Sequence, residues 1–260
     1  MRIDVIKLQG RWMNAQSIAS IRHCVNHARE AGHDVHYPED IFAASLIQRA
    51  RNVSLKHVRK DSDFVLFVDD DMVPMQSALT RLVGHNLPAV SALCTNRKFP
   101  IELAAKVYDV QTDSFQNVSV FKDNVLCPGP WAPGLGFFLI QTSALQAMIE
   151  YVLCGNDWLD INHQQLNRLK VRSENREAER QKIEEKRRAL FASDGVAPVF
   201  QCSLHDASQA DLGEDTHFAR LLHLMGTPVY MDTGCLVGHM GDFPFSPVHL
   251  GALTNLEVEL

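Results

Sequence analysis

The amino-acid sequence predicts an α/β fold with a doubly wound, mostly parallel sheet and a long inserted charged helical arm. The chain has 260 residues, 46% of them hydrophobic and 22% charged, as in soluble globular proteins with a substantial core. Short apolar runs alternate with segments of helical periodicity, which is typical of parallel sheets covered by helices. Residues 64–68, Phe-Val-Leu-Phe-Val, are apolar throughout, as a central strand buried on both faces requires.

The first half of the chain predicts alternating strands and helices. Residues 3–8 form an apolar strand, and Asn14 is a helix N-cap before apolar residues at helical spacing, until Gly32 ends that helix. Ligands of such sheets bind at the carboxyl ends of the strands, so functional residues are expected there. Further strands are predicted at 33–37, 64–68 and 88–93, and further helices at 41–60, after Pro38-Glu39-Asp40, and from Pro74 onward.

The second half predicts an antiparallel excursion and then a return to the sheet. The excursion spans residues 95–134, and residues 136–140 rejoin the sheet. Residues 159–191 are polar, contain no Gly or Pro, and predict an exposed helical insertion within a single domain, 1–260. The other predicted strands are 102–108, 118–121, 198–204 and 228–231, and the other predicted helices are 142–153 and 214–225.

Several protein classes are excluded by these patterns. No apolar run approaches the roughly 18 residues that a membrane span needs. Asp4 interrupts the first apolar run, unlike the apolar region of a signal peptide, so the sequence predicts a cytoplasmic location. The six cysteines lie at least 27 positions apart without a C-x-x-C, which predicts buried reduced thiols rather than a zinc ribbon or a disulfide framework.

Three consecutive carboxylates, Asp69, Asp70 and Asp71, follow the strand predicted at 64–68. Like charges so close together raise one another's pKa, and a shared divalent cation would relieve that repulsion. In an extended segment Asp69 and Asp71 point to one side and Asp70 to the other. The first and third carboxylates are therefore a candidate site for Mg²⁺ or Mn²⁺, together with substrate phosphates. The alternative is a solvated acidic turn that caps the helix predicted at Pro74.

Residues 64–71 resemble the strand and D-x-D motif of nucleotide-sugar glycosyltransferases of the GT-A fold. The resemblance implies a doubly wound sheet of GT-A type, in which Asp69 and Asp71 bind a metal that bridges the donor diphosphate. It also assigns Asp70 to the donor site.

Upstream of that strand, Ala50-Arg51-Asn52 resembles the A-R-N of many inverting family-two-type enzymes. This similarity implies that Arg51 or Asn52 reaches the donor nucleotide. An arginine on a helix surface is the alternative.

Two downstream segments extend the resemblance in the same order along the chain. Glu214-Asp215 resembles the E-D motif, which implies that Asp215 is the catalytic base for the acceptor hydroxyl, with Glu214 beside it. Acids in the first turn of a helix are also stabilised by its dipole, so capping alone is the alternative. Gly238-His239, expected in a loop, resembles the carboxy-terminal histidine of the family, which implies that His239 completes the metal site.

A glycine-rich segment, 128–138, is predicted to lead into a strand. Glycine permits close approach of the backbone to a ligand. A comparable stretch in the family lines the donor sugar and the acceptor, which assigns Gly134 and Gly136 to the donor site. Trp131 either stacks on a sugar face or caps the core.

Together these motifs imply a metal-dependent, inverting glycosyltransferase that uses Mn²⁺ or Mg²⁺ and a nucleotide-sugar, expected to be a UDP-sugar. Its acceptor would be soluble: a protein, a glycan, a small molecule or a nucleic acid. Two alternatives remain open. Residues 69–73 also fit the motif of haloacid-dehalogenase-like phosphohydrolases, with Asp69 as nucleophile, although that family usually begins with this strand and a downstream lysine motif is missing. The chain could also be a non-catalytic module that binds a nucleotide-sugar.

The predicted arm is basic on an acidic chain. Residues 168–188 contain nine Lys or Arg and five Glu, a net charge of +4, which leaves −10 for the rest of a chain whose total is −6. Such an arm could contact a polyanionic acceptor, for example DNA with modified bases. Mixed charges at this spacing also stabilise an isolated solvated helix, which is the alternative.

Overall fold

A computed structural model describes residues 1–8, 14–38, 47–96, 102–109, 111–118, 124–153, 199–200, 203–204, 211–240 and 244–245. The first strands are β1 (Arg2–Leu8), β2 (Asp34–His36), β3 (Phe64–Asp69), β4 (Met72–Pro74), β5 (Ala89–Cys94), β6 (Ala105–Asp109) and β7 (Ser114–Asn117). The later strands are β8 (Leu126–Gly129), β9 (Trp131–Pro133), β10 (Phe137–Gln141), β11 (Ser203–Leu204), β12 (Asp211–Leu212), β13 (Val229–Met240) and β14 (Pro244–Phe245). The helices are α1 (Ala15–Glu30), α2 (Ile47–Ser54), α3 (Ala78–Gly84), α4 (Thr142–Leu153) and α5 (Glu214–Leu224), with a 3₁₀ turn at Leu55–His57.

One large mixed sheet organises the described part of the chain. Its strand order is β14-β13-β5-β10-β3-β1-β2, and β4 and β8 also pair with β13. Strands β2, β1 and β3 are parallel, and β13 is parallel to β5. Strand β10 is antiparallel to both β3 and β5, so these two parallel groups run in the same direction. The prediction of a largely parallel α/β sheet is confirmed at this level.

Helices cover both faces of this sheet, and β3 shows why. Val65 and Phe67 contribute to one core, whereas Phe64, Leu66 and Val68 contribute to the other, and all five side chains are at most 1% exposed. The first core also contains buried residues of α2, α4 and α5, and the second contains those of α1 and α3. An uninterrupted apolar run thus forms the middle of a three-layer arrangement.

A smaller antiparallel sheet, β7-β6-β9, lies beside α5. It confirms the predicted antiparallel excursion, but its second strand is β7 rather than 118–121. The chain reverses earlier because the Asp109 carboxylate accepts the backbone N–H of Gln111 at 2.9 Å and Asp113 adopts a φ of 48°. Residues 119–123 lie outside the described ranges.

Two helix predictions require correction. The helix predicted at 41–60 is shorter where it is described, because α2 ends at Ser54 and a 3₁₀ turn follows. Pro74 does not begin a helix. It ends the short strand β4, which pairs with β13, and α3 begins at Ala78. Pairing with β13 therefore keeps this segment extended, although proline is common in the first turn of helices.

Strand β13 is longer than its sequence predicts. The predicted strand 228–231 continues to Met240, so the loop expected around His239 is a strand. The pairing with β5 shifts between Asp232 and Leu236, which is a bulge, and resumes beyond it. The glycine-rich sequence has low strand propensity, but hydrogen bonds to β5, β4, β8 and β14 stabilise the extended conformation of β13.

A buried carboxylate secures β13 to α3 just before this bulge. Asp232 is fully buried and accepts from Arg81 Nε at 2.6 Å, while His85 Nε2 lies 2.7 Å from the same carboxylate. The backbone N–H of Gly234 donates to it at 2.9 Å. A Cβ at Gly234 would lie 2.3 Å from Arg81 Nη2, so a larger residue here would displace the guanidinium from its contact with Asp232.

We expect Asp232→Asn to lower the free energy of unfolding by about 2 kcal/mol at pH 7. This is less than the loss of a fully buried ion pair, because Arg81 is partly exposed and can be solvated. Burial raises the pKa of Asp232, but the hydrogen bonds from Arg81, His85 and Gly234 outweigh it and hold the pKa below its usual value. The stabilisation is therefore present above about pH 4 and is lost as the pH falls through the depressed pKa.

Urea unfolding at several pH values measures this difference, with Asp61→Ala as the matched control. Asp61 pairs with Arg2 at the surface, where both side chains are exposed, so its loss should change stability by less than about 1 kcal/mol. Equal losses in the two variants would show that the Asp232 cluster does not stabilise β13.

Other sequence predictions are met only in part by the described residues. Cys24, Cys94, Cys127 and Cys235 are buried free thiols, as expected. The helical arm predicted at 159–191 lies outside the described residues, and the single-domain assignment stays a prediction. No helix in the described ranges is both long and apolar enough to span a bilayer.

Candidate functional site

The acidic triplet lies at the carboxyl edge of the sheet. Asp69 is the last residue of β3 and pairs with Leu8 at the end of β1. Its N–H donates to the Gly136 carbonyl at 3.1 Å, which fixes the strand end against the chain entering β10. Parallel strands bring their carboxyl ends together, which is why residues distant in sequence meet here.

The three carboxylates do not all lie in one extended segment. Asp70 and Asp71 form a turn between β3 and β4, so the rule that sends Asp69 and Asp71 to one side ends at Asp69. The turn is held by the Met240 N–H, which donates to the Asp71 carbonyl at 2.8 Å. The side chains of Asp69 and Asp71 consequently contact different partners.

Asp71 contacts His239, and the resemblance assigns both residues to the metal site. His239 Nε2 lies 3.1 Å from Asp71 Oδ1, and its Nδ1 lies 2.9 Å from the Thr95 carbonyl oxygen. A carbonyl can only accept, so we assign the proton to Nδ1, which directs the Nε2 lone pair of a neutral ring at the carboxylate. A proton or a cation at Nε2 would relieve the repulsion between these two groups.

Asp69 is bound by a buried arginine instead. Arg51, in the last turn of α2, is 2% exposed; its Nη2 donates to Asp69 Oδ1 at 2.9 Å and its Nη1 donates to Glu214 Oε1 at 2.6 Å. The alternative of a surface arginine is wrong. The guanidinium joins the end of β3 to the start of α5, although Arg51 and Glu214 are 163 positions apart.

The side-chain amide of Asn52 forms two hydrogen bonds with the backbone of Phe200. Its Nδ2 donates to the Phe200 carbonyl at 2.8 Å, and its Oδ1 accepts the Phe200 N–H at 2.9 Å. The Phe200 ring stacks on Phe218 of α5 at 4.9 Å and meets Phe67 edge-on at 5.3 Å. In this arrangement Asn52 holds core packing together, and its assignment to the donor stays a prediction.

Helix α5 presents the two predicted catalytic acids in its first turn. Gly213 is the N-cap residue and has no side chain to cap the helix, so a first-turn acid satisfies one of the free N–H groups instead. Asp215 Oδ1 accepts the Thr216 N–H at 2.7 Å and the Thr216 hydroxyl at 3.3 Å. Within the described residues nothing donates a hydrogen bond to Asp215 Oδ2. Glu214, in contrast, is engaged by Arg51.

The two predicted glycines pack closely against site elements. A Cβ at Gly136 would lie 2.1 Å from Met72 Cε, so a larger residue here would require the Met72 side chain to move. A Cβ at Gly134 would lie 3.8 Å from Asp215 Oδ2, which puts this glycine next to the carboxylate. Gly134 thus lies at the candidate site, whereas Gly136 shapes the strand entry.

Trp131 lies in the core. It is 6% exposed, packs in the first hydrophobic core, and donates its indole N–H to the Cys127 carbonyl at 2.9 Å. Of the two roles open from the sequence, capping the core is the one that this environment favours.

The groups at this edge limit which metal ligands the site offers. In the residues that the structure describes, no group of three or more His, Cys, Asp and Glu side chains could hold a metal ion. Asp71 and His239 contact each other, but Asp69 is turned to Arg51. Burial, and then the charges of Asp69 and Asp71, raise the pKa of the Cys94 thiol to about 12, so at neutral pH this neighbour is a protonated thiol.

Two features of the site were missed by sequence reasoning. The Thr95 carbonyl that orients His239 is a backbone atom and leaves no sequence signal. The Arg51 bridge had a weak signal, because the helix that carries Arg51 directly precedes the strand that ends in the acidic triplet, but the partner on α5 is not visible in sequence.

No protein-family model matches the chain, and no curated protein matches it either. Among solved structures, it is similar to A197 from STIV at 14% identity over 95% of this chain and 91% of that one, with a TM-score of 0.49. It is also similar to a glycosyltransferase involved in glycosylation of the major capsid of PBCV-1, at 9% identity over 56% and 62% of the two chains, with a TM-score of 0.33.

A third similarity is to 4-diphosphocytidyl-2C-methyl-D-erythritol synthase from Anaerococcus prevotii, at 10% identity over 60% of this chain and 76% of that one, with a TM-score of 0.35. At TM-scores below 0.5 we draw no functional conclusion from these similarities.

Proposed function

We propose that this protein is a metal-dependent glycosyltransferase that transfers a sugar from a nucleotide-sugar to an acceptor hydroxyl. One observation carries the proposal: residues of the four motifs of the resemblance make side-chain contacts with one another at one edge of the sheet. Arg51 connects the first carboxylate of the D-x-D to Glu214, and the third carboxylate contacts His239. Core packing alone does not require these chemically matched groups to converge.

The charge of the site supports a cationic cofactor. Asp69, Asp70, Asp71, Glu214 and Asp215 are five carboxylates, and Arg51 bonds to two of them, Asp69 and Glu214. A donor diphosphate would add further negative charge, which a divalent cation would offset.

Asp71 and His239 are the residues that would hold this cation. A carboxylate oxygen and an imidazole nitrogen fit Mn²⁺, and the incoming diphosphate and water would supply the other ligands, as Mg²⁺ and Mn²⁺ sites with few protein ligands require. When bound, the cation would neutralise charge on the departing nucleoside diphosphate. The Thr95 carbonyl keeps the His239 ring oriented for this contact.

Asp215 is the group suited to take the acceptor proton. Thr216 fixes one of its oxygens, while Oδ2 lies near the bare backbone of Gly134 and accepts no hydrogen bond from the described residues. A carboxylate held at one oxygen and open at the other can accept a proton from a bound hydroxyl. Inversion at the anomeric carbon would follow from such a single displacement.

A phosphohydrolase with Asp69 as nucleophile is less well supported. Asp69 Oδ1 is engaged by a buried arginine, and two strands, β1 and β2, precede β3. A binding module without catalysis would use the same edge but would need no base at Asp215.

The decisive experiment incubates the full chain with UDP-, GDP- and TDP-sugars, with and without Mn²⁺, and measures nucleoside diphosphate release together with thermal shifts. Mn²⁺-dependent release supports the transferase. Phosphate release from phosphomonoesters would support the hydrolase, and a thermal shift without turnover would support the binding module.

The acceptor is proposed from the basic segment 168–188, which lies outside the described residues. If this segment binds DNA, a Gly/Ser replacement should spare donor hydrolysis and reduce transfer to DNA. Binding of the parent to DNA should also weaken steeply between about 50 and 200 mM salt. Fluorescence anisotropy with a labelled duplex measures this, and salt-independent or undetectable binding would remove nucleic acid from the candidate acceptors.

A further inference from the structure

We propose that Arg51 is a positioning residue that sets the distance between the Asp69–Asp71 turn and the first turn of α5. Its kinetic consequences rest on the proposed transferase function. The bridge connects three elements through a single buried group: α2 supplies the arginine, β3 supplies Asp69 and α5 supplies Glu214. Asp71, a proposed metal ligand, lies two positions after Asp69. Asp215, the proposed base, directly follows Glu214.

Arg51 is not placed to touch a donor. Its side chain is 2% exposed, and both terminal nitrogens donate to carboxylates. The third nitrogen, Nε, is buried and has no acceptor among the described residues. A group that binds a diphosphate must present N–H donors to the ligand, so Arg51 acts through Asp69 and Glu214. This differs from the donor contact that the sequence resemblance implied.

The planar guanidinium makes this spacing rigid. Two carboxylates bonded to different nitrogens of one flat group have a fixed separation and orientation. Without the arginine, the partly buried carboxylates of Asp69 and Glu214 would repel each other. Asp215 follows Glu214 directly, so any movement of Glu214 displaces the proposed base. Displacements near 1 Å can cost about 100-fold in rate.

Lysine at position 51 separates positioning from charge. Arg51→Lys keeps one positive charge, but an ammonium cannot hold both carboxylates in the planar geometry. We expect kcat for sugar transfer to fall at least about 10-fold, while the dissociation constant of the Mn²⁺ nucleotide-sugar complex changes less than about 3-fold.

Arg59 provides a matched control. It also bridges two carboxylates, donating from Nε to Asp4 at 2.8 Å and from Nη1 to Asp34 at 2.9 Å, but at the amino ends of β1 and β2. Arg59→Lys should lower the melting temperature without changing kcat or donor affinity. A similar loss of kcat in both lysine variants would mean that a general loss of packing, not positioning, slows the reaction.

Coupling with Glu214 tests the bridge itself. If both residues act through one contact, Arg51→Lys combined with Glu214→Gln should lose no more kcat than the more damaging single change. Losses that multiply would overturn the proposal. So would a donor dissociation constant at least about 10-fold weaker in Arg51→Lys with kcat retained, since Arg51 would then contact the donor.

A readout without turnover keeps this inference separate from the proposed function. Amide hydrogen exchange at residues 214–217 should be faster in Arg51→Lys than in the parent, and unchanged in Arg59→Lys. If the parent transfers no sugar from any donor, the proposed function fails, and the exchange rates still decide whether Arg51 holds the first turn of α5. Unchanged exchange in Arg51→Lys would overturn the positioning role.

Discussion

Alanine at Asp71 or at His239 is expected to weaken Mn²⁺-dependent binding of a nucleotide-sugar by more than about 100-fold. Groups that merely orient metal ligands cost 10- to 100-fold when removed, and a ligand should cost at least as much. Asp71 and His239 bring a carboxylate oxygen and an imidazole nitrogen within 3.1 Å of each other at this edge. Isothermal titration calorimetry with donor, in the presence and absence of Mn²⁺, measures the loss.

Asp69→Ala distinguishes two versions of the metal site. The sequence predicts Asp69, Asp71 and His239 as ligands, whereas the side-chain contacts favour Asp71 and His239. If Asp69 is a ligand, its removal should equal the effect of Asp71→Ala on Mn²⁺ affinity. If it mainly holds Arg51, the dominant effects should be lower stability and slower transfer, since a buried guanidinium loses one partner.

The surface change Asp61→Ala removes a carboxylate at the opposite end of the sheet and should leave Mn²⁺ affinity unchanged. Parental Mn²⁺-dependent affinity in both Asp71→Ala and His239→Ala would refute the metal site.

Asp215→Asn should reduce the rate of sugar transfer by about 100-fold or more, the usual contribution of a positioned general base. Asparagine retains an oxygen for the Thr216 N–H but cannot accept a proton from the acceptor. Stability should change by no more than about 1 kcal/mol, since the loss is one favourable charge near a helix N-terminus. Steady-state kinetics with a saturating donor, alongside thermal unfolding, measures both quantities.

Donor affinity is the internal control for this variant. It should match the parent, because the proposed base acts on the acceptor. Near-parental transfer by Asp215→Asn would remove the base assignment. A large fall in melting temperature with an unchanged rate for the folded protein would leave the acid with a structural role only.

The sequence predicted helices and strands well where their formation depends on residues close in sequence. Asn14 caps α1, its side chain accepting the Gln16 N–H at 2.8 Å, because an N-cap depends only on residues within one turn. The apolar run of β3 and the helix that begins at Glu214 were predictable for the same reason. Burial on both faces also followed from the absence of polar residues in that run.

Elements that depend on distant partners were predicted poorly. Pro74 suggested a helix start, but β4 forms because β13 lies beside it. The stretch after residue 232 suggested a loop because glycines have low strand propensity. It is a strand because β5 and β4 offer ladder partners, and because Asp232 is tied to Arg81.

The sequence by itself determined the α/β class, the order of most strands and helices, and which acidic and histidine residues deserved attention. Only the tertiary structure decided which partners those side chains contact. Asp71 contacts His239, and Asp69 contacts Arg51, whereas the sequence had grouped Asp69 and Asp71 at one metal site. The physical reason is range. Helix caps and apolar periodicity act over a few residues, whereas Arg51 and Glu214 meet across 163 positions because α2 and α5 pack on the same face of the sheet.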